Sequence, residues 1–288
     1  MFNSQETVPL EEKIYSNQSQ ILNFLFFLNT ITKDLWRSRE LSWLLFLREI
    51  RQRYRQSIFG LLWAFFPPII ATTILVFLSQ HKILNVGETE IPYPVYVMLG
   101  TLLWQIFAES VVTPLKSFDS CVPIMIKINM SREAPILAGV AQVLFFMGIQ
   151  MVLAVCTVIY FGLFSPAILL APVAVLSLVI MGTAFGILLV PIGALYKDVG
   201  EGIGMLLRGV FLLTPIIYPP PQEWPWSLLV SLNPVVPLLQ GCRDLMATGG
   251  LSNPFSFWMA CALSAGLLIF ALIFYRLTLP VVLERLGA

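Results

Sequence analysis

The sequence predicts an all-α polytopic membrane protein with six transmembrane helices, and three observations predict it. Hydrophobic residues make up 58% of the 288 positions and charged residues 11%, against about a quarter charged in a soluble domain, and the mean hydropathy is +0.84. The charges are absent over windows long enough to cross a bilayer, which takes about 20 apolar residues; one window, 134–196, runs 63 residues without a charge. Finally, lysine and arginine fall almost wholly on one side of the spans that those windows define.

Residues 1–57 read as a cytosolic segment ending in an amphipathic interface helix. Glu6, Glu11 and Glu12 against Lys13 alone are not the basic start of a secretory signal, and the apolar run 21–28 is too short to span. Four arginines, Arg48, Arg51, Arg53 and Arg55, sit within eight residues, and 56–80 then carries no ionisable side chain. On a helix Leu44, Leu47, Ile50, Tyr54 and Ile58 share one face. Arg51 borders it on one edge with Arg48 and Arg55 beyond, and Arg53 on the other. An apolar stripe edged by arginines suits a helix lying in the membrane surface with its guanidinium groups on lipid phosphate.

Residues 58–277 then hold six spans. The first lies near 58–78, kinked by Pro67 and Pro68. A loop over 81–92 precedes the second, 93–115. A polar connection, 116–134, suggests a short helix perpendicular to the spans, with Pro135 opening the third. The window 134–196 provides two crossings, turning at Gly162-Leu-Phe-Ser-Pro166. A tight turn at 196–200 leads to the fifth span, 201–218, and the sixth runs 254–277. Between these two, 215–253 is too proline-rich to span and too apolar for a solvated loop. It reads as re-entrant outer helices, because irregular backbone at membrane depth must lie against protein or an aqueous cavity. Residues 278–288 form a cytosolic tail.

Fourteen Lys and Arg lie on the side of the termini and two, Lys82 and Arg243, on the other, so both termini are expected in the cytosol. Glu109 and Arg208 are the ionisable residues deepest in predicted spans, where such groups line a path, pair, or snorkel to the interface. Asp198 with Glu201 three residues on matches a capping-box variant. Cys121, Cys156, Cys242, Cys261 and the single His81 share no metal-ligand spacing, so no metal is expected. The glycine cluster at 200–204 lacks the lysine and the strand of a phosphate-binding loop, so ATP is not expected on this chain. Aromatic residues in the spans, Trp63, Phe66, Tyr93, Tyr96, Trp104, Phe107 and Tyr218, are candidates to stack on sugar rings; packing and lipid contact are the alternative.

The run Leu47, Arg48, Glu49, Arg51, Arg53, Tyr54, Arg55, Gln56, Ser57, Gly60, Trp63, Pro67 resembles the start of the membrane (permease) subunits of type-2 ABC exporters. The branch it is most similar to exports polysaccharides and polyol phosphates: O-antigen, capsule and teichoic acid. The resemblance covers nearly all of 40–280. It implies a homodimer in the bacterial inner membrane, bound to two copies of an ABC ATPase that carries the ATP and Mg. It implies a lipid-linked glycan as substrate, membrane lipid as surroundings, and no catalytic residue or nucleic-acid partner here. Arg48, Arg51, Arg53, Tyr54 and Arg55 would meet the substrate head group, a role that planar guanidinium forks suit; they equally suit bulk lipid. Lys127, Ser131, Arg132 and Glu133 would form the contact that couples to the ATPase. Lys197, Asp198 and Glu201 match a cytosolic gate turn, for which a plain helix cap suffices as well. Tyr218, Trp224, Trp226, Asn233 and Arg243 match an outer gate, although Trp224 and Trp226 also fit an interfacial aromatic belt. Two alternatives stay open: a type-2 exporter of a drug or small lipid, and a membrane transferase. The transferase needs an acid/base or metal cluster, and no Asp/His-rich loop is present.

Overall fold

The computed structural model describes residues 33–55, 57, 59–83, 87, 89–127, 130–196, 198–221 and 223–287. The readings of 1–32, Gln56, Ile58 and Lys197 lie outside the described residues. Among those described, every regular element is helical. They are α1 (Arg39–Tyr54), a 3₁₀ turn (Gly60–Ala64), α2 (Phe66–Gln80), α3 (Tyr93–Met125) and α4 (Ala134–Tyr160). A second 3₁₀ turn (Pro166–Leu170) leads to α5 (Ala171–Leu195), α6 (Asp198–Leu213), α7 (Trp226–Leu232), α8 (Val235–Ala247) and α9 (Pro254–Gly287).

The core is built around α5. It packs against α3 on one side and α9 on another, while α4 lies along α3. Gly182 and Gly186, one helical turn apart, make the α3–α5 approach close. A Cβ at Gly182 would lie 2.5 Å from Cβ of Ser110, and one at Gly186 would lie 2.5 Å from the carbonyl oxygen of Val111. Small residues in this spacing let membrane helices meet backbone to backbone. Leu99, Leu102, Leu103, Leu178, Met181 and Ile187 fill the space around that contact. By contrast α2 and α9 leave most of their apolar surface uncovered, as staves facing lipid do.

Five helical stretches among the described residues are long and apolar enough to cross a membrane: Gly60–Gln80, Tyr93–Met125, Ala134–Tyr160, Pro166–Leu195 and Pro254–Arg285. The predicted fifth span is instead the 16-residue α6 followed by irregular backbone at 214–218. At 1.5 Å per residue α6 is about 24 Å long, short of a hydrocarbon core of about 30 Å. Pro67 and Pro68 do not kink a continuous helix; they occupy the first turn of α2, where a missing N–H costs nothing, after the chain has broken at the 3₁₀ turn. Pro135 opens α4 as expected, and Gly162 turns the chain at φ +69°.

Two further expectations are corrected. The second span does not stop near residue 115: α3 continues to Met125, about 50 Å in all, so most of the polar connection is its projecting end. No separate perpendicular helix forms among the described residues of 116–133. On α1 the protein-facing side is Ser42, Leu45 and Phe46, packed on α4, whereas Leu44 is exposed. Of the predicted stripe, Leu47 and Ile50 are partly buried against the same cluster, while Leu44 stays uncovered, as a residue facing lipid would be.

Candidate functional site

A cleft of about 850 Å³ opens between the 3₁₀ turn, α3, α4 and α6. It gathers groups far apart in sequence: Arg53 and Tyr54 from the end of α1, Glu109 and Lys116 from α3, and Arg208 from α6 all line it. Arg53 donates to Glu109 at 3.2 Å, Thr113 donates to the other carboxylate oxygen at 3.2 Å, and the guanidinium lies 4.2 Å from the Phe146 ring centroid. Both partners of the ion pair are more than one-third exposed, so the pair adds at most about 1 kcal/mol. Three cations against one carboxylate leave the cleft net positive. Burial pushes the Tyr54 phenol above its ordinary value, with Glu109 adding to the rise and Arg53 opposing it, so Tyr54 stays a neutral hydroxyl.

On α3 and α4 the next turn beyond this charged zone is aromatic and amide-lined. Trp63, Trp104 and Phe211 join the wall, with Trp104 and Phe211 centroids 6.0 Å apart. Gln150 on α4 donates to Gln105 on α3 at 2.8 Å and to the Ala64 carbonyl at 3.3 Å. The two glutamines carry no charge, so the charge pattern of the spans does not single them out. Neutral amides within charge-free windows were the available signal.

The other arginines of α1 do not share this cleft. Arg51, Arg55 and Arg48 line a second groove of about 650 Å³ with Leu44, Leu47 and Gln52. Arg48 is turned onto α3, where it donates to Ser120 at 3.3 Å, and Glu49 accepts from Ser117 and Ser120 at 3.0 Å each. The predicted arginine cluster is thus two groups on opposite flanks of α1, because residues 51 and 53 lie about 200° apart around a helix.

At the far end of α3, Lys127 and Arg132 are exposed. Ser131 is hydrogen-bonded to Ser38 and donates to Glu133 at 3.2 Å. Tyr275 on α9 donates to the Arg132 carbonyl at 2.6 Å, and Arg276 pairs with Asp34 at 2.6 Å. The loop is therefore tied both to the segment before α1 and to the last helix. Asp198 and Glu201 lie exposed in the first turn of α6, where negative charge suits the helix dipole. The reciprocal bonds of a capping box do not form among the described residues, since Asp198 is already inside the helix.

The residues matched to an outer gate divide by burial. Trp224 and Trp226 are exposed, while Arg243 is 4% exposed. Its guanidinium sits 3.7 Å from the Tyr96 ring centroid and donates to the Ile216 carbonyl at 3.4 Å. Gly100 makes room for it: a Cβ there would lie 2.5 Å from the guanidinium nitrogen. The Tyr96 hydroxyl donates to the Tyr218 carbonyl at 3.0 Å, and the Tyr218 hydroxyl to that of Leu212 at 3.0 Å. Asn233 donates to Thr214 at 3.1 Å and accepts from the Val235 N–H at 3.0 Å, opening α8. Asn233, Arg243 and Tyr218 thus fasten the irregular 214–218 backbone.

A family model described as ABC-2 type transporter matches residues 40–247. Similar proteins include the O-antigen export system permease protein RfbA of Klebsiella pneumoniae, 25% identical over 71% of this chain and 79% of its own length. The protein of the same name from Myxococcus xanthus is 27% identical over 73% of this chain and 81% of its own. The polysialic acid transport protein KpsM of Escherichia coli is 22% identical over 81% and 91%. The helical architecture, the cleft bounded by several of its helices and a match over more than half of the chain agree, and the chain belongs to the ABC-2 type transporter family, whose members are membrane subunits of transporters.

Proposed function

We propose that the chain is the membrane subunit of an ATP-driven exporter that carries a lipid-linked polysaccharide out of the cytosol across a bacterial inner membrane. The observation that carries this reading is the cleft, which joins a cationic zone to an aromatic and amide wall. A glycan on a phosphorylated lipid has those two chemistries in that order: an anionic head group and sugar rings. The names of the similar permeases, O-antigen export and polysialic acid transport, support the same substrate class.

One copy does not enclose a route, because the cleft is open along its side. Two copies about a twofold axis bring two clefts face to face, and the uncovered apolar residues of α6, Met205, Leu206, Leu212 and Leu213, suit that interface. Each copy docks one ATPase through the loop at Lys127, Ser131, Arg132 and Glu133. Asp198 and Glu201, at the start of α6, serve the cytosolic gate turn; Lys197, which the resemblance adds to it, lies outside the described residues. α7 and α8 dip back from the outer face, α6 with 214–218 makes the fifth of six crossings, and both termini are cytosolic. Arg53 and Tyr54, with Lys116 and Arg208, take the pyrophosphate head, while Arg51 and Arg55 on the opposite flank of α1 hold bulk lipid. Glu109 neutralises Arg53 until the anion displaces it. ATP moves the route outward only by favouring one arrangement of the two copies over the other.

Purified complex with its ATPase tests the substrate class. Lipid-linked glycan is expected to stimulate ATP turnover several-fold and small amphiphiles to leave it unchanged. The reverse pattern would assign the chain to drug or small-lipid export.

A further inference from the structure

We propose that Gln105 and Gln150 form a hydroxyl-reading subsite for uncharged sugar rings inside the cleft, separate from the cationic zone. This rests on the export reading above and names which part of the substrate this wall meets. Gln150 is 6% exposed and its two donor hydrogens are used, one on Gln105 and one on the Ala64 carbonyl. Its carbonyl oxygen Oε1 is buried with no partner. A buried amide oxygen left unbonded in a membrane interior is costly, so this one is poised for a donor that the protein itself does not supply. On Gln105 the Oε1 is used and no bond among the described residues takes its NH₂.

The pair therefore offers an unused acceptor on Gln150 and an unused NH₂ with two donor hydrogens on Gln105, side chains that line the same cavity. A sugar hydroxyl needs that complement, since it donates one hydrogen and accepts another. An anionic phosphate has acceptors only and cannot satisfy Gln150 Oε1. Lipid tails and small apolar amphiphiles leave both groups unmet. Trp63 and Trp104 line the same stretch and supply apolar faces for the C–H side of a ring. The Gln150 bridge also ties α3, α4 and the start of the first span at this level, which holds the subsite rigid.

The test uses the complex in nanodiscs, with intrinsic tryptophan fluorescence as the readout. The probes are maltoheptaose and mannan oligosaccharide for the sugar, inorganic pyrophosphate for the cationic zone, and a polyethylene glycol of similar length as a polymer without internal hydroxyls. At least one oligosaccharide is expected to shift the emission of the parental chain and the glycol to leave it unchanged. Gln105→Leu, and separately Gln150→Leu, should weaken oligosaccharide binding about tenfold or more and leave pyrophosphate binding at the parental value. Retained pyrophosphate binding also certifies that each variant is folded, and Gln105→Leu spares the Gln150–Ala64 bond should Gln150→Leu fail to assemble. Unchanged oligosaccharide affinity in Gln105→Leu, or no oligosaccharide binding to the parental chain, overturns the subsite while pyrophosphate binding keeps the export reading. Loss of pyrophosphate binding by the parental chain as well would count against both.

Discussion

Arg243 shows how far one residue's role depends on its surroundings. A guanidinium in a membrane protein away from water is costly unless it is paired, and here a ring face and a carbonyl serve in place of a carboxylate. The family resemblance implies an outer-gate role for Arg243, but nothing in the sequence indicates that Tyr96, 147 positions earlier, stacks on it. We expect Arg243→Ala to destabilise the chain by about 2–4 kcal/mol, read as a lower midpoint in thermal unfolding in detergent. Gly100→Ala should act in the same direction, since its methyl group meets the guanidinium. An unchanged midpoint in both variants would remove Arg243 from the fastening of 214–218. The Arg53–Glu109 pair has the opposite character. It is partly exposed, and a double-mutant cycle with Arg53→Gln and Glu109→Gln should give a stability coupling below about 1 kcal/mol. Arg53→Gln alone should nevertheless cut glycan export more than Arg51→Gln, because only Arg53 faces the cleft.

Helices were legible in the sequence where the chain is charge-free and long. The windows 93–115, 134–196 and 254–277 correspond to α3, to α4 with α5, and to α9, because only a helix satisfies its own backbone in lipid. Their ends were less legible. Residues 116–125 carry Lys116 and Asp119 and read as the start of a polar connection with a short helix of its own, yet α3 simply continues past the apolar window. Pro123 removes a single i→i−4 bond and does not stop the helix, which runs on to Met125. The two flanks of α1 are a further case: composition gives a basic helix, but only packing on α4 decides which arginine faces the cleft. At this scale the α3–α5 contact is the most sensitive. Gly186→Val puts atoms against the Val111 carbonyl and is expected to lower the yield of monodisperse protein severalfold in size-exclusion chromatography. The same substitution at Gly204, with open space around it, should not. Tyr275→Phe removes the hydroxyl that holds the Arg132 carbonyl. We expect it to leave assembly intact and lower glycan moved per ATP, since the coupling loop would move without α9.

The whole molecule is a helical bundle with one side left open. Its family is that of transporter membrane subunits, and its cleft is bounded by helices but open along its side. Sequence distribution of Lys and Arg gave a sidedness, whereas the number of crossings turns on 214–218, where a short helix and a fastened loop replace a plain span. Labelling of single cysteines placed at Gly250 and Glu284 with an impermeant maleimide in intact cells and in inverted vesicles decides that number. With six crossings Gly250 reacts from outside and Glu284 only from inside.

Deleting the gene and following the glycan, inside and on the surface, asks the most of the proposal. The account requires that the lipid-linked glycan is still made, accumulates inside, disappears from the surface, and returns there when the intact chain is restored. A deletion strain that no longer makes the glycan, or that displays it at the parental level, would contradict it.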